Sequence, residues 1–351
     1  MDYDVAIIGA GPAGSTLARL LSGDGARVVL VDGQKESLRK TCGGLLAPDA
    51  QRTLANFDLT LPKSVLVDPQ IFSVKTIDLK TGDIRYYPRH YLNMNRYAFD
   101  RWLLSLVPEN VEVISGRFLS AEALDGGFSI YVDTKNGQRL INAGRIVGAD
   151  GAGSAVRRRF FDFKVKRYIA IQQWFVSNGE NPFYSCIFDP ETSESCSWSI
   201  HKDGFFIFGG CFTPEGGRAA FEKQKKRLAE KCDFEFGEPV KTEACLALSP
   251  RRMGDFALAR DGVYLIGEAA GFISPSSFEG ISGAILSASA LARAIKAGDG
   301  DNEVARRYKS FTLSLRLKLR FKVIKRWFMY TPFVRKLIMR SGLQSIDPTL
   351  R

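Results

Sequence analysis

Residues 3–32, which read YDVAIIGAGPAGSTLARLLSGDGARVVLVD, decide the fold of this chain. The apolar run from Asp4 to Ile8 predicts a strand that is buried on both faces. Small residues then predict a helix that packs closely on this strand and ends near Gly25. A second apolar run, from Arg27 to Val31, predicts the next parallel strand. The turn after the first strand has the spacing G-x-G-x-x-G, formed by Gly9, Gly11 and Gly14. The segment therefore predicts the first βαβ unit of a Rossmann-like α/β domain.

This glycine turn has the chemistry of a dinucleotide-binding site. Its glycines permit a tight turn and a close approach of the backbone to a diphosphate, and the helix that begins at Pro12 and Ala13 offers N–H groups to the negative charge. Asp32 follows Gly14 by 18 residues and ends the second strand, where its carboxylate can accept hydrogen bonds from a ribose diol. A glycine turn with only a structural role is the alternative. The register of strand, helix and acidic residue favours dinucleotide binding.

Two later stretches resemble the flavoprotein family built like para-hydroxybenzoate hydroxylase. They are RIVGADGAGSAVRR (145–158) and DGVYLIGEAAGFISPSSFEGISGAILSASALARAI (261–295). The resemblance implies that FAD is the cofactor, that Asp150 lies in its D-G motif, and that Gly267-Glu268 stands where the family has a G-D pair near the ribityl-phosphate region. Glutamate is one methylene longer than the family's aspartate. The helix that begins at Gly280 and Ile281 would favour negative charge on the flavin ring.

The stretch NMNRYAFDRWLLSL (93–106) resembles a helix of the same family with the pattern R-x-x-(F/L)-D-x-x-L. In that family the arginine reaches the FAD phosphates, which implies this role for Arg96. The alternative is an ordinary amphipathic helix in which Arg96 and Asp100 form an i,i+4 ion pair.

The stretch KTCGGLLAPD (40–49) gives a more specific resemblance, to the geranylgeranyl reductase family and, within it, to the CbrA-like bacterial branch. The similarity covers essentially the whole chain and is carried by KTCGGLLAPDAQR, NPFYSCIFD, SWSIHKDGFFIFGG and LIGEAAGFIS. Members of that family use FAD to saturate C=C bonds of prenyl chains. The resemblance implies that Cys42, Gly43 and Gly44 lie against the flavin. Cys42 is then a candidate proton donor or a residue that tunes the flavin, and a buried small thiol without chemistry is the alternative.

Prenyl reductases of this family carry Y-x-W-x-F-P in the substrate sheet, and the corresponding stretch here is CSWSIH (196–201). Trp198 is retained and becomes a second catalytic candidate. Cys196 and Ile200 are smaller than the aromatic residues they replace, which predicts a substrate cavity of different shape. Flavin-dependent halogenases have the related pattern W-x-W-x-I-P, which Trp198 and Ile200 also match.

Composition limits the remaining possibilities. A chain of 351 residues suggests two domains. Its six cysteines form no C-x-x-C pair, which predicts reduced thiols in a cytoplasmic protein. With two histidines and no clustered ligands we expect no metal site, and without a G-x-S-x-G elbow we expect no serine hydrolase.

We expect the two domains to be interleaved along the chain. The prediction is an α/β fold with an FAD-binding Rossmann-like domain of the para-hydroxybenzoate hydroxylase type, an antiparallel-sheet substrate domain and a C-terminal helical tail. The predicted ranges are 1–70, 91–163 and 248–298 for the FAD-binding domain, 71–90 and 164–247 for the substrate domain, and 299–351 for the basic tail.

The tail carries the charge imbalance of the chain. Residues 306–351 contain 13 basic residues and one acidic residue, whereas the rest of the chain has 36 basic and 37 acidic residues. Within 312–340 a helix would place Leu313, Leu317, Phe321, Ile324 and Phe328 on one face, and Lys318, Lys322, Lys325 and Arg326 on the other. The apolar face either packs on the protein or lies at an anionic membrane surface, on the inner face of the membrane. Nucleic acid is a poor candidate because no known nucleic-acid-binding module accompanies the charge.

The sequence as a whole favours an FAD-dependent reductase that transfers hydride to a C=C bond of a prenyl-type or other hydrophobic lipid. A flavin-dependent monooxygenase of the same fold and a non-catalytic flavin- or lipid-binding module are the alternatives. No second dinucleotide fingerprint is present, so NAD(P)H, ferredoxin and a quinol all stay open as the electron donor.

Overall fold

The computed structural model describes residues 1–33, 40–162, 164–177 and 182–347, and the chain divides into two compact units. The first unit contains Met1–Arg39, Tyr97–Lys166 and Leu248–Phe321. The second contains Lys40–Arg96, Arg167–Ala247 and Lys322–Arg351. The interleaving expected from the sequence is present, but these units differ from the predicted ranges. Residues 40–70 and 91–96 group with the substrate sheet, and the tail is divided after Phe321.

The strands and helices follow one another along the chain with these bounds. The strands are β1 (Tyr3–Ile8), β2 (Val28–Asp32), β3 (Leu45–Leu46), β4 (Ser73–Asp78), β5 (Ile84–Pro88), β6 (Leu92–Asn93), β7 (Glu112–Leu124), β8 (Gly127–Thr134), β9 (Gly137–Gly148), β10 (Arg167–Val176), β11 (Tyr184–Phe188), β12 (Cys196–Lys202), β13 (Phe205–Phe212), β14 (Lys241–Leu248), β15 (Ala259–Arg260) and β16 (Val263–Leu265). The α-helices are α1 (Pro12–Leu21), α2 (Pro48–Asn56), α3 (Arg96–Ser105), α4 (Ala155–Phe160), α5 (Gly217–Cys232), α6 (Ile281–Ala297), α7 (Asp301–Phe311), α8 (Leu313–Tyr330) and α9 (Pro332–Ser341).

The first unit is built on a sheet whose centre is the predicted strand β1. Strand β1 pairs in parallel with β2 on one side and with β9 on the other. Seven described strands form this sheet. By hydrogen-bonded neighbours their order is β1-β2-β7-β8-β9-β16-β15, and β9 pairs with β1 in addition to β8 and β16. Strands β7, β8 and β9 form an antiparallel meander, which the sequence analysis did not anticipate. Because β1, β9 and β16 run parallel, the turns that follow their carboxyl ends lie at one edge of the sheet.

The second unit is built on the mainly antiparallel substrate sheet, with the described strands in the order β14-β10-β13-β12-β11-β4-β5. Two of its antiparallel pairs are hairpins, β4–β5 and β12–β13. The second turns through Asp203 and Gly204, which both have positive φ. Helix α5 covers one face of this sheet, where Phe208 stacks on Phe221 with ring centroids 5.3 Å apart. Phe175, Phe206, Phe208 and Phe212 belong to the buried core of this unit.

The basic tail is helical, as predicted, and of the two placements left open for its apolar face, packing on the protein is not observed. The apolar positions Leu313, Leu317, Phe321, Ile324 and Phe328 are exposed, so they do not pack on the protein. Arg326, predicted on the solvated face, is buried because its guanidinium donates to the carbonyl oxygen of Glu194 and to the hydroxyl of Tyr168. Among the described helices none is long and apolar enough to cross a membrane.

Candidate functional site

In the first unit, the turn between β1 and α1 can be made only with glycines at two of its positions. Gly9 has φ of +107°, and a β-carbon there would lie 2.6 Å from the carbonyl oxygen of Ala149. A β-carbon at Gly14 would overlap the carbonyl oxygen of Gly9. The close contact of strand, helix and β9 therefore explains both glycines without any ligand.

Gly11 differs from Gly9 and Gly14, because a β-carbon there would meet no atom within 4 Å. The protein itself does not require glycine at this position. Gly11 is also the residue before α1, which begins at Pro12 without a side-chain cap, so that the N–H groups of the first turn are not capped by a side chain. Open space beside an uncapped helix N-terminus fits the diphosphate of FAD. Pro12 and Ala13 are buried at the start of this helix.

Asp32, the predicted ribose acceptor, lies buried at the end of β2. Its Oδ2 accepts a hydrogen bond from Nη1 of Arg101 at 2.7 Å. Arg101 was not among the predicted site residues, although this arginine directly follows Asp100 of the helix pattern. The arginine orients the carboxylate from α3, and the ring of Tyr97 lies 5.7 Å from its guanidinium. Arg96, the predicted phosphate contact, is the first residue of α3 and groups with the second unit.

The two carboxylate oxygens of Asp150 have different surroundings. Its Oδ2 accepts hydrogen bonds from the N–H groups of Ala155 (2.7 Å) and Val156 (3.3 Å) at the start of α4. Its Oδ1 is buried, and the described residues supply no donor to it. Burial raises the pKa of Asp150, while Ser154 and the helix N–H groups act against that rise. A buried acceptor beside the Gly9 turn is a feature that a bound hydroxyl-rich group would satisfy.

Gly267 and Glu268 form the start of a 3₁₀ turn, Gly267–Ala270. Gly267 has φ of +58°, and a β-carbon there would lie 2.9 Å from Cβ of Ala13, so this turn comes close to the start of α1. Glu268 is buried, and its Oε1 accepts a hydrogen bond from the N–H of Leu248 at 3.0 Å. One oxygen of the longer carboxylate therefore holds backbone, which explains how glutamate fits at the position of the family's aspartate.

Helix α6 begins at Ile281, and Gly280 precedes it without a side-chain cap. One glycine-rich edge of the sheet in the first unit thus has four features beside it. They are the uncapped starts of α1 and α6, the turn at Gly267 and the buried Oδ1 of Asp150. This residue set fits the adenosine and phosphate groups of FAD.

In the second unit, the Cys42-Gly43-Gly44 segment lies against Trp198 of β12. A β-carbon at Gly43 would be 3.3 Å from Cδ1 and 3.4 Å from Nε1 of this indole, so bare backbone packs on the ring. Cys42 is half-buried, and its Sγ accepts a hydrogen bond from the N–H of Gly44 at 3.3 Å. The structure therefore brings the two predicted catalytic candidates, Cys42 and Trp198, to one place.

Lys202 holds this segment and was missed by the sequence analysis. Its Nζ donates to the carbonyl oxygens of Gly44 (3.0 Å) and Met94 (2.6 Å), and a β-carbon at Gly44 would overlap that ammonium group. Burial lowers the pKa of Lys202 from its ordinary 10.5 to about 7, while its interactions with Cys42 and Asp203 act against this change. A buried lysine between two carbonyl groups has no sequence signature beyond its place in the alternating strand β12.

The indole of Trp198 is part of a hydrogen-bonded chain of side chains. Its Nε1 donates to Oε1 of Gln172 (3.2 Å), and Nε2 of that glutamine donates to Glu243 (3.2 Å). The same Glu243 oxygen accepts a bond from Nε1 of Trp174 (2.9 Å). Because the N–H edges of both indoles are engaged, their orientation is fixed.

Of the other residues in the CSWSIH stretch, His201 and Cys196 have structural neighbours. Nδ1 of His201 lies 3.0 Å from the backbone N of Phe183 and is buried. The N–H of Cys196 donates to the hydroxyl of Tyr330 at 3.2 Å, and the Tyr330 ring packs on Phe188. Tyr330 thus occupies space beside the small Cys196. Within the described part of the chain no cluster of histidine, cysteine and acidic side chains is arranged to bind a metal ion.

Comparison with known proteins agrees with this site. A family model described as an FAD binding domain matches residues 2–59. A curated relative, Protein CbrA of Escherichia coli O9:H4 (strain HS), is 46% identical over 352 residues, which cover 98% of this chain and 94% of the relative. Protein CbrA of Shigella dysenteriae serotype 1 is 45% identical over 350 residues and 98% of each chain.

Solved structures show the same fold at low identity. A geranylgeranyl bacteriochlorophyll reductase-like protein from Thermoplasma acidophilum has a TM-score of 0.76 at 16% identity, over 93% of this chain and 86% of the other. PqsL, a probable FAD-dependent monooxygenase from Pseudomonas aeruginosa, has a TM-score of 0.68 at 19% identity, over 97% and 99%.

These features define an FAD-binding flavoprotein with the fold of the para-hydroxybenzoate hydroxylase type, which confirms the predicted cofactor and fold class. The chain belongs to the CbrA family of FAD-dependent oxidoreductases, and the predicted resemblance to the CbrA-like branch is confirmed.

The difference between Gly11 and Gly14 allows a sharp test of the diphosphate site. We expect Gly11→Val to keep the native circular dichroism spectrum, because a β-carbon at this position has no atom within 4 Å. The same variant should bind FAD about 100-fold more weakly, equivalent to about 2.7 kcal/mol of binding free energy. Titration of the apoprotein with FAD, followed by quenching of flavin fluorescence, measures this.

Two variants control the Gly11 experiment. Gly14→Val should lose the native spectrum itself, because its side chain overlaps Gly9. Gly23→Val, which also meets no atom within 4 Å, should keep both the spectrum and the affinity for FAD. Normal FAD affinity in Gly11→Val would show that the phosphates bind elsewhere.

Lys202 should make the free energy of unfolding depend on pH between about 7 and 10.5. In that range the unfolded chain binds one more proton than the folded chain, so stability rises with pH, by up to about 1.4 kcal/mol per pH unit. Below pH 7 the lysine is protonated in both states and contributes no further slope. Replacement by methionine removes this dependence, and urea unfolding at pH 6 to 10 measures the difference between wild type and Lys202→Met.

The exposed lysine Lys226 on α5 is the control. The difference in unfolding free energy between wild type and Lys226→Met should not change with pH. A pH-independent difference for Lys202→Met as well would contradict a lysine that is neutral in the folded protein.

Proposed function

We propose that this chain uses reduced FAD to saturate C=C bonds of a hydrophobic, prenyl-type substrate. The observation that carries the proposal is the packing of Gly43, the residue after Cys42, on the indole of Trp198, in a segment held at Gly44 by the buried Lys202. A thiol next to bare backbone on an oriented aromatic ring provides a largely apolar surface that carries a proton-bearing group. The reductase-like protein from Thermoplasma acidophilum, with a TM-score of 0.76, supports the choice of reduction.

The two indoles are suited to an apolar ligand. Trp198 and Trp174 donate their N–H groups to Gln172 and Glu243, so these hydrogen bonds fix the orientation of two large apolar rings. Trp198 lies opposite Gly209 in the sheet, and a β-carbon there would be 2.7 Å from the ring, so the indole lies flat on backbone. Binding sites for hydrophobic ligands are typically lined in this way, with a few fixed polar groups.

Saturation of a C=C bond needs a hydride for one carbon and a proton for the other. Bound reduced FAD supplies the hydride. In our proposal Cys42 supplies the proton and is reprotonated from solvent, and Lys202 fixes the Gly44 carbonyl so that the thiol keeps its place. NAD(P)H, ferredoxin and a quinol are the candidate sources of the electrons that reduce FAD.

A flavin-dependent monooxygenase is the second candidate. It is favoured by the similarity to PqsL, whose fold covers 97% of this chain. The two reactions differ in the mass of the product, because saturation adds two hydrogen atoms and monooxygenation adds one oxygen atom.

The direct test is mass spectrometry of polyprenyl lipids incubated with the holoprotein. The protein is reduced with dithionite in the absence of oxygen, so the natural electron donor is not needed. We expect products heavier by about 2 Da per saturated bond. Cys42→Ser should form them about 100-fold more slowly with FAD still bound, a typical effect for loss of a general acid. Cys232→Ser, at the end of α5, is the matched control and should react at the wild-type rate.

Other outcomes contradict parts of the proposal. A gain of about 16 Da, seen only when oxygen is admitted, would establish the monooxygenase instead. An unchanged lipid with normal FAD binding would favour a non-catalytic flavin- or lipid-binding module. Equal rates for Cys42→Ser and Cys232→Ser would leave Cys42 as a buried thiol without a role in proton transfer.

A further inference from the structure

The last part of the second unit, residues 322–347, buries arginines and exposes large apolar side chains. We call these residues the C-terminal platform. Arg335 of α9 is 5% exposed, and its Nε donates to Oδ2 of the buried Asp78 at 2.7 Å. Arg326 of α8 donates to the carbonyl oxygen of Glu194 at 2.7 Å. Both cations therefore point toward the substrate sheet.

The same arginines attach the platform firmly to that sheet. The guanidinium of Arg335 lies 4.5 Å from the ring centroid of Phe188 and also donates to the carbonyl oxygen of Met329. Tyr330 packs on Phe188 from the same segment. A buried ion pair and stacked rings hold one face of the platform in a fixed orientation, so its opposite face is fixed as well.

That opposite face is unusually apolar. Trp327 is 57% exposed and Phe333 is 69% exposed. The other exposed large apolar side chains of the platform are Ile324, Phe328, Leu337, Ile338, Leu343 and Ile346. A helix in water normally exposes its arginines and buries its aromatic residues. The reversal here leaves eight large apolar side chains of the platform exposed, among them Trp327 and Phe328, whose ring centroids lie 5.0 Å apart, and clusters of exposed apolar residues mark interaction sites.

Charge identifies the partner. Lys325 and Arg340 are exposed beside these apolar side chains, Lys336 is half-buried, and residues 312–340 contain no acidic residue. A second copy of the chain, docked by the same face, would bring these cations against one another. An anionic lipid surface offers both an apolar interior and negative headgroups, and Trp and Phe favour its interface.

We propose that the C-terminal platform binds the surface of an anionic membrane, with Trp327, Phe328, Phe333 and Leu337 inserted and Lys325 and Lys336 at the headgroups. Arg340 is not among these cations, because its Nε pairs with Oδ1 of Asp83 at 3.3 Å. The binding residues differ from those that the helical pattern alone would select. Arg326 is buried in the sheet contact, and Lys322 pairs with Asp49 at 3.4 Å. The inference is independent of the chemistry under the proposed function, because membrane binding needs no substrate.

Vesicle sedimentation of the full-length holoprotein tests the proposal. We expect wild type to sediment with vesicles of phosphatidylglycerol and phosphatidylethanolamine but not with phosphatidylcholine vesicles. Binding should weaken as salt rises from 0.1 to 1 M, because the Debye length falls from about 10 Å to about 3 Å. The variant Lys325→Gln/Lys336→Gln should bind about 25-fold more weakly, at roughly fivefold for each lysine. Trp327→Ser/Phe333→Ser should lose binding to a similar or greater extent.

Matched variants on the same unit serve as controls. Lys80→Gln removes an exposed lysine outside the platform, and Phe72→Ser/Val176→Ser removes two exposed apolar side chains elsewhere. Both should sediment as wild type does.

Three results would overturn the proposal. Wild type that stays in the supernatant with both kinds of vesicle would exclude a membrane-binding role. Equal binding to neutral and anionic vesicles would exclude the role of the basic residues. A wild-type dimer in light scattering that becomes monomeric in Trp327→Ser/Phe333→Ser, without vesicle binding, would assign the face to a second copy of the chain.

Discussion

The carbonyl oxygen of Gly9 occupies the space that a β-carbon at residue 14 would need, and the first unit is organised around this contact. Because no side chain intervenes, the start of α1 lies directly at the carboxyl end of β1. Ala149, at the end of β9, packs against Gly9, and Gly267 approaches Ala13 in the same way. Three segments that are far apart in sequence thus meet at one edge of the sheet, and the backbone N–H groups of α1 are placed where a diphosphate can bind.

The second unit depends on polar side chains that are buried for a structural reason. Lys202 donates to the carbonyl groups of Gly44 and Met94. Glu243 accepts hydrogen bonds from the Trp174 indole and from Gln172, which in turn accepts one from the Trp198 indole. Removal of one partner from a buried ion pair such as Asp78–Arg335 typically costs about 3–5 kcal/mol, since the other charge is left without compensation. Such contacts provide precise placement of Cys42 and Trp198 rather than large net stability.

The sequence was sufficient for features that depend on neighbouring residues. Strand β1, the glycine turn and helix α1 each follow from a local pattern, and each is present. The sequence was insufficient where distant residues decide burial. The inward orientation of Arg335 depends on Asp78, which is 257 residues away, and that of Arg326 on Glu194. Periodicity alone put Arg326 on the solvated basic face of α8, whereas these distant partners bring Arg326 and Arg335 toward the sheet. Arg101, Gln172 and Lys202 were missed for the same reason.

The central claim is that the first unit holds FAD at the Gly9–Gly14 turn, and the most direct measurement is the flavin content of the purified protein. Denaturation should release a flavin that chromatography identifies as FAD. We expect about one FAD molecule per chain, because the chain has a single βαβ fingerprint. Protein from which the flavin has been removed should regain the same ratio when FAD is added, and should not regain it with FMN, which lacks the adenosine diphosphate end. A folded protein that contains no flavin and takes up none from excess FAD would contradict the account.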